Sequence, residues 1–305
     1  MIKILELFGG IGSPRKALIN LGIEHKCIDY VEIDKDAVKS YNAIFSETFK
    51  PQDILNWNKD VQVDMIFHGS PCQDFSIAGT NMGGDYGSGT RSSLLYETLR
   101  IVEKIKPKYV IWENVKNVIS KKHKHNFDAY LTKMEQLGYT NNYQILNARD
   151  YGIPQNRERI FVVSILGNHS FKFPNKQELE NNLIYFLKGE VDDYYYKVCP
   201  SMLKALNDGK VKDITNSKYC STITTKQQRW NNCGMFRDNK GLRYLTPIET
   251  WLLMGFTEDD YNKASLVCKR AALYKQAGNS IVVQVLEAIF RELLGVDKCE
   301  NESKE

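Results

Sequence analysis

Short apolar runs separated by amphipathic segments dominate the first part of the chain. The apolar runs, which predict buried β-strands, cover 2–8, 27–33, 65–69, 109–112 and 159–165. Helix-like segments follow the glycine-rich 9–12 and the capping residue Asp34, and another covers 94–105. Strands that alternate with helices predict parallel βαβ units whose ligands bind at the carboxyl ends of the strands. The predicted fold class is α/β, a doubly wound Rossmann-like sheet.

The pattern changes near Gly167. Residues 167–243 are richer in Asn, Lys and Tyr and have weaker periodicity, which predicts a smaller unit of irregular, partly β structure. A helix-like pattern returns at 247–254 and at 280–294, and the second of these segments has one apolar face.

The composition excludes several classes of protein. With 42% hydrophobic and 11% aromatic residues among 305, the chain can bury a core, which argues against disorder. No apolar run approaches the roughly 18 residues of a membrane span, and the first residues lack a signal-peptide pattern. We therefore expect a soluble, cytoplasmic protein with no membrane contact. The seven cysteines and five histidines show no CxxC or HxxxH spacing, so neither disulfides nor a metal site are predicted.

Basic residues concentrate in one part of the chain. Residues 197–243 contain ten Lys or Arg against three Asp, a net charge of +7 within a whole-chain charge of +4. A charge run is usually only a solvated surface, but aromatic residues, Asn, Gly and Thr are interleaved with this one. A surface for a polyanion and a solvated face therefore both remain open.

The glycine-rich turn after the first strand is a candidate ligand site. The segment 8–12 (FGGIG) lets the backbone approach a ligand, and the helix that follows supplies unpaired N–H groups. Glu32 lies about 20 residues later, where a dinucleotide-type fold places a carboxylate against a ribose. Asp53 and Ile54 offer a second carboxylate and an apolar wall for an adenine ring. Because no Walker lysine follows the glycines, an adenosyl ligand is favoured over a nucleoside triphosphate; a plain tight turn is the alternative.

Cys72 follows the third predicted strand, in the segment 68–76 (HGSPCQDFS). A thiol at the carboxyl end of such a strand can act as a nucleophile once deprotonated, and Pro71 fixes the path of the chain there. The alternative is a buried structural cysteine, the commoner state of this residue. The glycine-rich segment 78–89 predicts a mobile lid over the site.

Charged residues lie at the next two strands. Glu113 at the exit of 109–112 is either a local cap or an acid with a raised pKa. In the segment 155–159 (QNRER), strand alternation places Arg157 and Arg159 on one face, where they bind an anion or a carboxylate or form a surface ion pair. The segment 276–280 (QAGNS) is predicted to start the last helix, with Asn or Ser as an ordinary N-cap.

In their order and spacing these segments resemble the DNA cytosine-5 methyltransferase family of the bacterial or phage type. The FxGxG turn, PCQ, ENV, QxRxR, the segment 243–249 (RYLTPIE, like the family's RxLTPxE) and GNS stand in the family's order. The resemblance covers residues 2–294 apart from the variable 167–243. The amino-methyltransferase pattern of two prolines and an aromatic residue after Asp, Asn or Ser is absent, because Ser70 and Pro71 are followed by Cys72.

The resemblance implies a reaction. Such enzymes transfer a methyl group from S-adenosylmethionine to C5 of cytosine and release S-adenosylhomocysteine. Cys72 would add to C6 of a base flipped out of the duplex, which makes C5 nucleophilic. Glu113 would contact the N3 and N4 edge of the base, and Arg159 its O2 side with Arg157 in support.

The resemblance also assigns binding residues and domains. The implied cofactor contacts are Phe8, Gly10, Gly12, Glu32, Asp53, Ile54, Gly69, Pro71, Leu94, Asn279 and Ser280. The implied DNA contacts are Ser76, Arg91, Thr222, Lys226, Gln227, Gln228 and Arg229, with base readout from 226–234 in the major groove. Residues 1–170 with 272–305 would form the catalytic, cofactor-binding domain, and 171–271 the target-recognition domain and hinge. Because Asn279 and Ser280 would have to reach the cofactor, the resemblance also implies that the last helix returns to pack beside the first strands. Ile33 stands where some members stack an aromatic ring on adenine.

Partners and alternatives follow from the same resemblance. Double-stranded DNA is the expected partner of a monomeric enzyme, with a cognate restriction endonuclease if the enzyme is not an orphan or phage one. A tRNA cytosine-5 methyltransferase on the same fold is one alternative, but its Cys-Phe-Thr segment is not found. A catalytically dead DNA-binding paralogue would be expected to lack Cys72 or Glu113. A dinucleotide oxidoreductase would leave Cys72, Glu113 and Arg159 without a role.

Overall fold

The computed structural model describes residues 1–70, 94–227 and 232–296. Strands of its central sheet are β1 (Ile2–Leu7), β2 (His25–Val31), β3 (Met65–His68), β4 (Tyr109–Val115) and β5 (Tyr139–Asn147), followed by a short strand β6 (Gln155–Asn156) outside that sheet and by β7 (Glu158–Leu166) within it. The six strands of the sheet lie in the order β2-β1-β3-β4-β7-β5. The first four are mutually parallel, whereas β7 is antiparallel to both β4 and β5. The predicted α/β class is thus confirmed, with an antiparallel addition at one edge.

Helices connect the strands and complete the fold. They are α1 (Ser13–Asn20), α2 (Lys35–Phe45), α3 (Leu95–Ile105), α4 (Lys124–Gln136), α5 (Pro200–Asn207), α6 (Pro247–Leu252), α7 (Glu258–Ser265), α8 (Arg270–Asn279) and α9 (Val283–Leu294). Asp34 caps α2 as predicted, because its carboxylate accepts hydrogen bonds from the N–H groups of Asp36 and Ala37 at 2.9 and 3.3 Å. Within the described residues, no helix has both the length and the apolar character needed to cross a membrane.

The sheet has apolar cores on both faces. Successive side chains of a strand point to opposite faces, and in β1 Ile4 belongs to one buried cluster and Leu5 to the other. The first cluster includes α1 and α9, with the rings of Phe67 and Phe290 6.4 Å apart. The second includes residues of α3 and α4, among them Tyr130. As expected, the last helix therefore returns to the first strands.

Residues 247–294 contain two helices more, α7 and α8, than the pattern predicts. The expected helix at 280–294 begins only at Val283, and Asn279 ends the separate helix α8. The prediction of a Ser or Asn N-cap for the last helix is wrong, since Ser280 donates its hydroxyl to the Gln276 carbonyl at 2.8 Å and Val282 precedes α9 without a side-chain cap. The mixed sequence of α8 (RAALYKQAGN) has too weak an apolar stripe to announce a helix.

Residues between β7 and α6 are mostly irregular, in line with their weak periodicity. Two short strands, β9 (Phe236–Asp238) and β10 (Gly241–Arg243), form a hairpin, and β8 (Cys220–Ser221) pairs with β6. A small apolar cluster beside α5 consists of Met202, Ala205, Val211 and Met235. Other buried apolar residues of this part, among them Ile214 and Ile223, belong to the first cluster, so this part packs against the side of the sheet that carries α1 and α9.

Candidate active site

The carboxyl ends of the parallel strands bring the predicted site residues to one edge of the sheet. Glu32 follows β2, Gly69 follows β3, and Glu113 lies in the last part of β4. A Cβ atom added to Gly69 would lie 3.7 Å from Oε2 of Glu113 and 3.9 Å from Cδ1 of Ile281. The chain therefore leaves β3 directly beside Glu113.

The turn after β1 leaves room for a ligand at one glycine and packs tightly at another. Gly12 has φ +81° in the left-handed region, and a Cβ there would lie 2.4 Å from the Phe45 ring. Gly10 has φ +54°, but a Cβ there would meet nothing within 4 Å. Phe8 is also left-handed, with φ 54°, a conformation that costs a non-glycine residue about 1 kcal/mol. The turn is thus held by packing at Gly12 and is open at Gly10.

Glu32 is bound to this turn. Its Oε2 accepts from the Gly10 N–H at 3.1 Å and its Oε1 from the Asp34 N–H at 2.8 Å. Burial raises the pKa of this carboxyl, and the backbone N–H groups of Asp34 and Gly10 oppose the rise. The Glu32 carbonyl accepts from the Gln52 N–H at 2.9 Å, which places Asp53 in the next segment along. Each carboxylate oxygen retains a lone pair that could accept a hydrogen bond from a hydroxyl group.

The apolar surface beside Glu32 differs from the one predicted. Ile54 belongs to the second buried cluster and is only 3% exposed, so it offers little surface to an adenine ring. Ile33 is 66% exposed and directly follows Glu32. By the resemblance, Ile33 stands where some family members stack an aromatic ring on adenine. Its exposed side chain is therefore the apolar surface available beside Glu32.

Leu94, Asn279 and Ser280 lie at the ends of helices. Leu94 is half-buried immediately before α3 and packs against the second cluster. Asn279 is exposed at the end of α8, and Ser280 is buried next to it. An ion pair of 2.6 Å between Lys275 and Asp34 ties α8 to the N-terminus of α2. The end of α8 is therefore held near the carboxyl edge of β2.

Glu113 and Arg159 form an ion pair across neighbouring strands. Glu113 lies opposite Phe161 in the antiparallel pairing of β4 with β7, so Arg159 is its diagonal neighbour on the same face. The Nε atom of Arg159 lies 3.1 Å from Oε1 of Glu113. Burial raises the pKa of Glu113, whereas the charges of Arg159 and Arg157 lower it, and the net direction is upward. The pair thus combines a carboxyl that readily holds a proton with a fixed positive charge.

Arg157 has a different set of contacts. It lies between β6 and β7, and only 4% of its surface is exposed. Its two terminal nitrogens donate to the carbonyls of Ile223 at 2.8 Å, Gly278 at 3.0 Å and Ser280 at 2.7 Å. The alternation used in the sequence treats 155–159 as one strand, but the break at Arg157 turns this side chain towards backbone carbonyls.

Asn114 and Trp112 hold the exit of β3, a role that the sequence does not reveal. The indole N–H of Trp112 donates to the Ser70 hydroxyl at 3.1 Å, and the amide of Asn114 donates to the Ser70 carbonyl at 3.3 Å. His68 is buried against Trp112 and bonded to Tyr130, and burial lowers its pKa to about 3. The residue two positions before Cys72 is therefore fixed by a neutral, buried network.

Of the predicted DNA contacts that the structure describes, Gln227 is buried. Thr222 donates its hydroxyl to the Asn156 carbonyl at 2.7 Å, and Lys226 is exposed. Gln227 is only 1% exposed, and its amide donates to Thr224 at 3.2 Å. Pro71, Cys72, Ser76, Arg91, Gln228, Arg229 and the predicted lid at 78–89 lie outside the described residues. Among the described residues, no three His, Cys, Asp or Glu side chains converge as a set of metal ligands.

Comparisons with known proteins fit this arrangement. The family model for C-5 cytosine-specific DNA methylase matches residues 2–295. The type II methyltransferase M2.ScrFI of Lactococcus lactis subsp. cremoris is 36% identical over 365 residues, covering 96% of this chain and 99% of that protein. The type II methyltransferase M.Bsp6I of Bacillus sp. (strain RFL6) is 33% identical over 324 residues, covering 96% and 98%.

Solved structures share the fold. The Entamoeba histolytica methyltransferase EhMeth has a TM-score of 0.79 and 20% identity, covering 97% of this chain and 98% of that one. The S. pombe Dnmt2 methyltransferase has a TM-score of 0.77 and 20% identity, covering 97% and 99%. At this identity the likeness concerns the fold.

Proposed function

The chain belongs to the C-5 cytosine-specific DNA methylase family, and from this premise we propose that it methylates C5 of one cytosine within a short duplex sequence, with S-adenosylmethionine as the methyl donor. As a member of this family it is a DNA cytosine-5 methyltransferase. The observation that carries the proposal is the Glu113–Arg159 pair, 3.1 Å long, at the edge where the chain leaves β3 towards Cys72.

The proposed chemistry uses these groups on a flipped base. The Cys72 thiolate forms a bond to C6 of the cytosine, and the electron density of the C5–C6 double bond becomes available at C5. Glu113, with its raised pKa, shares a proton with N3, and Arg159 stabilises the charge that develops at O2, with Arg157 adding positive charge nearby. When bound, S-adenosylmethionine supplies an electrophilic methyl group and leaves as S-adenosylhomocysteine. Loss of the C5 proton to a base then expels Cys72 and restores the ring.

Residues of the glycine-rich turn and the neighbouring edge would hold this cofactor. The Glu32 carboxylate would accept the ribose hydroxyls, and the open side of Gly10 would admit the adenosyl group. We add Ile33 as an apolar surface for the adenine because it is exposed beside Glu32. The full proposed set is Phe8, Gly10, Gly12, Glu32, Ile33, Asp53, Ile54, Gly69, Pro71, Leu94, Asn279 and Ser280.

The DNA would bind between two units. We propose a catalytic domain of 1–170 with 272–305 and a recognition region of 171–271, which includes the hinge helices α6 and α7. The net charge of +7 within 197–243 supports duplex binding on the recognition side. The proposed DNA contacts are Ser76, Arg91, Thr222, Lys226, Gln228 and Arg229. Gln227 would read a base only after leaving its buried position, so in the free protein we assign it a supporting role.

The remaining proposals concern partners. We propose a monomeric, cytoplasmic enzyme that belongs with a cognate restriction endonuclease, because the relatives at 36% and 33% identity are type II methyltransferases. A more distant relative, M.SPBetaI of Bacillus phage SPbeta at 26% identity, is an orphan methyltransferase, so an enzyme without an endonuclease partner is the alternative.

Methyl transfer from labelled S-adenosylmethionine tests the function. The wild-type chain should label duplex DNA and leave tRNA unlabelled, and bisulfite sequencing of the DNA should find methylcytosine within one short sequence. Cys72→Ala should abolish labelling, whereas Cys199→Ala, which removes a half-exposed thiol outside the proposed site, should keep it. Labelling of tRNA alone would establish the alternative substrate, and full activity of Cys72→Ala would overturn the mechanism.

A further inference from the structure

A polar junction joins residues 222–225, the recognition segment, to residues 278–280, the turn at the C-terminal end of α8. Arg157 occupies its centre, and its guanidinium donates to Ile223 on one side and to Gly278 and Ser280 on the other. All three distances are 3.0 Å or less, and the side chain is 4% exposed. One arginine thus binds two segments that are more than fifty residues apart in the chain.

Gln155 makes a second bridge in the same junction. Its Oε1 accepts from the Ile223 N–H at 3.0 Å, and its Nε2 donates to the Leu253 carbonyl at 2.8 Å. The side chain is fully buried, with 0% exposed. Gln155 therefore ties Ile223 to the end of α6, whereas Arg157 ties the same residue to the end of α8.

The backbones of the two segments are in direct contact at Gly278. A Cβ atom at this position would lie 2.4 Å from both the carbonyl carbon of Thr224 and the nitrogen of Thr225. Backbone atoms cannot yield as the tip of a side chain can, so any larger residue must push the segments apart. The junction therefore fixes the distance between the segments as well as their hydrogen bonds.

The position of the junction gives it a consequence for both binding sites. On one side of the junction, Thr222 and Lys226 are proposed DNA contacts close to Ile223 in the chain. On the other side, Asn279 and Ser280 are proposed cofactor contacts. We propose that Gln155 and Arg157 are positioning residues: Gln155 sets the recognition segment for DNA discrimination, and Arg157 links that segment to the cofactor turn. This inference rests on the proposed function, which supplies the two ligands.

The two residues differ in a way that makes the proposal testable. Gln155 has no hydrogen bond to the 278–280 turn among those of the described residues, so Gln155→Leu should disturb DNA discrimination and leave cofactor binding unchanged. Arg157→Lys keeps the charge but replaces a planar fork by a single ammonium, which cannot span the three carbonyls. It should therefore weaken both functions.

Binding measurements on purified full-length variants separate these outcomes. The Kd of S-adenosylhomocysteine without DNA and the ratio of Kd values for nonspecific and target duplexes are measured, with the target taken from bisulfite sequencing. For Arg157→Lys and Gly278→Ala we expect both quantities to worsen about tenfold, and for Gln155→Leu only the duplex ratio. The salt dependence of nonspecific binding should stay as in the wild type, because phosphate contacts are retained. Lys263→Met, which breaks an exposed ion pair on α7, is the control without effect.

Hydrogen exchange tests the junction without any ligand. The Ile223 amide loses its acceptor in Gln155→Leu, and its exchange should accelerate about tenfold or more, with Lys263→Met unchanged. If the wild type fails to methylate DNA but this acceleration occurs, the proposed function is wrong and the junction stands.

Other outcomes overturn the inference. An active wild type whose three junction variants keep normal discrimination, cofactor Kd and exchange would remove the positioning role. A loss of kcat alone in Arg157→Lys would make Arg157 a catalytic residue instead. If Arg157→Lys does not fold, Gly278→Ala and Gln155→Leu decide, because they leave the guanidinium in place.

Discussion

The central sheet and the recognition region each bury a glutamate completely and accommodate it in opposite ways. Glu6 in β1 accepts from the Tyr41 hydroxyl at 2.5 Å, and its other oxygen has no hydrogen-bond partner among the described residues. Burial raises its pKa to about 7. Glu249 in α6 instead accepts from both terminal nitrogens of Arg243, at 2.8 and 3.0 Å. The sheet keeps its glutamate by letting it hold a proton, and the recognition region pairs its glutamate with a cation.

The two parts differ in how their apolar residues are distributed. The sheet is covered by apolar clusters on both faces, so it tolerates one poorly satisfied carboxyl. The recognition region shares the first of these clusters with the sheet and has one small cluster besides, and Arg243 joins its segments by additional bonds to Asp238 and to the carbonyls of Lys188 and Tyr244. Glu113 is intermediate, because it is paired with Arg159 and still has a raised pKa. That combination is what a proton-sharing catalytic group requires.

Removing the cation should give the largest effect on stability. Arg243→Met leaves the fully buried Glu249 without its cation and removes one of several partners of the half-buried Asp238, so we expect a loss of about 3–5 kcal/mol in the free energy of unfolding. Urea denaturation measures it. Arg237→Met, an exposed arginine in the same hairpin, should change stability by about 0.5 kcal/mol or less. A loss below about 1 kcal/mol for Arg243→Met would show that the recognition region does not depend on this pair.

The intermediate glutamate should affect chemistry rather than stability. Glu113→Gln keeps the shape but cannot hand over a proton, so kcat should fall about 10²–10³-fold. Single-turnover methylation measures this fall, with duplex Kd and Tm recorded beside it. Glu158→Gln, which breaks the exposed pair with Lys116 one strand away, is the matched control and should keep the wild-type rate. A normal rate for Glu113→Gln would remove proton sharing from the mechanism.

The neutral glutamate should make stability fall as pH rises. Glu6 has a folded-state pKa of about 7 against an ordinary value of 4.5, so the folded state keeps a proton that the unfolded chain has already released. The free energy of unfolding should therefore decrease between pH 5 and 8, by roughly 2–3 kcal/mol from this group, and be fully regained below the ordinary pKa. Glu6→Gln should remove that part of the decrease, whereas Glu103→Gln on the surface of α3 should not. Parallel pH profiles for wild type and Glu6→Gln would contradict the assignment.

The sequence predicts the parallel half of the sheet well because buried strands read as short apolar runs. β5 escapes notice because it is an edge strand with Asn141, Asn142 and Gln144 among its residues, so it has no apolar run. The pattern misses the helix α8 for a similar reason, and the last helix is therefore predicted to begin too early, within 276–280. Hydrophobic periodicity arises where one face of an element is buried, so elements that are polar on most sides show little periodicity.

The candidate site divides in the same way. The motif order identifies Glu113 and Arg159, but their contact depends on the antiparallel register of β4 with β7, which strand pairing determines. Local alternation cannot anticipate that the chain breaks at Arg157 or that Gln227 turns inwards. The contacts of Arg157 come from segments distant in sequence, Ile223 and Gly278. Those of Gln227 come from Thr224 and Cys233, within its own irregular segment, which has no periodicity to read.

The return of α9 to the first strands also sets a schedule for protein synthesis. Phe67 on the sheet is covered only once Phe290 has been synthesised, and Asn20 of α1 can form its hydrogen bond to Glu287 only when α9 is present. At a translation rate of about 5–20 residues per second, the interval from Phe67 to Phe290 lasts roughly 11–45 s. Throughout it, the nascent chain exposes apolar strands and lacks the turn at Ser280. We therefore expect ribosome-bound chains to need protection from aggregation and to be unable to methylate DNA until residues 280–294 have been synthesised.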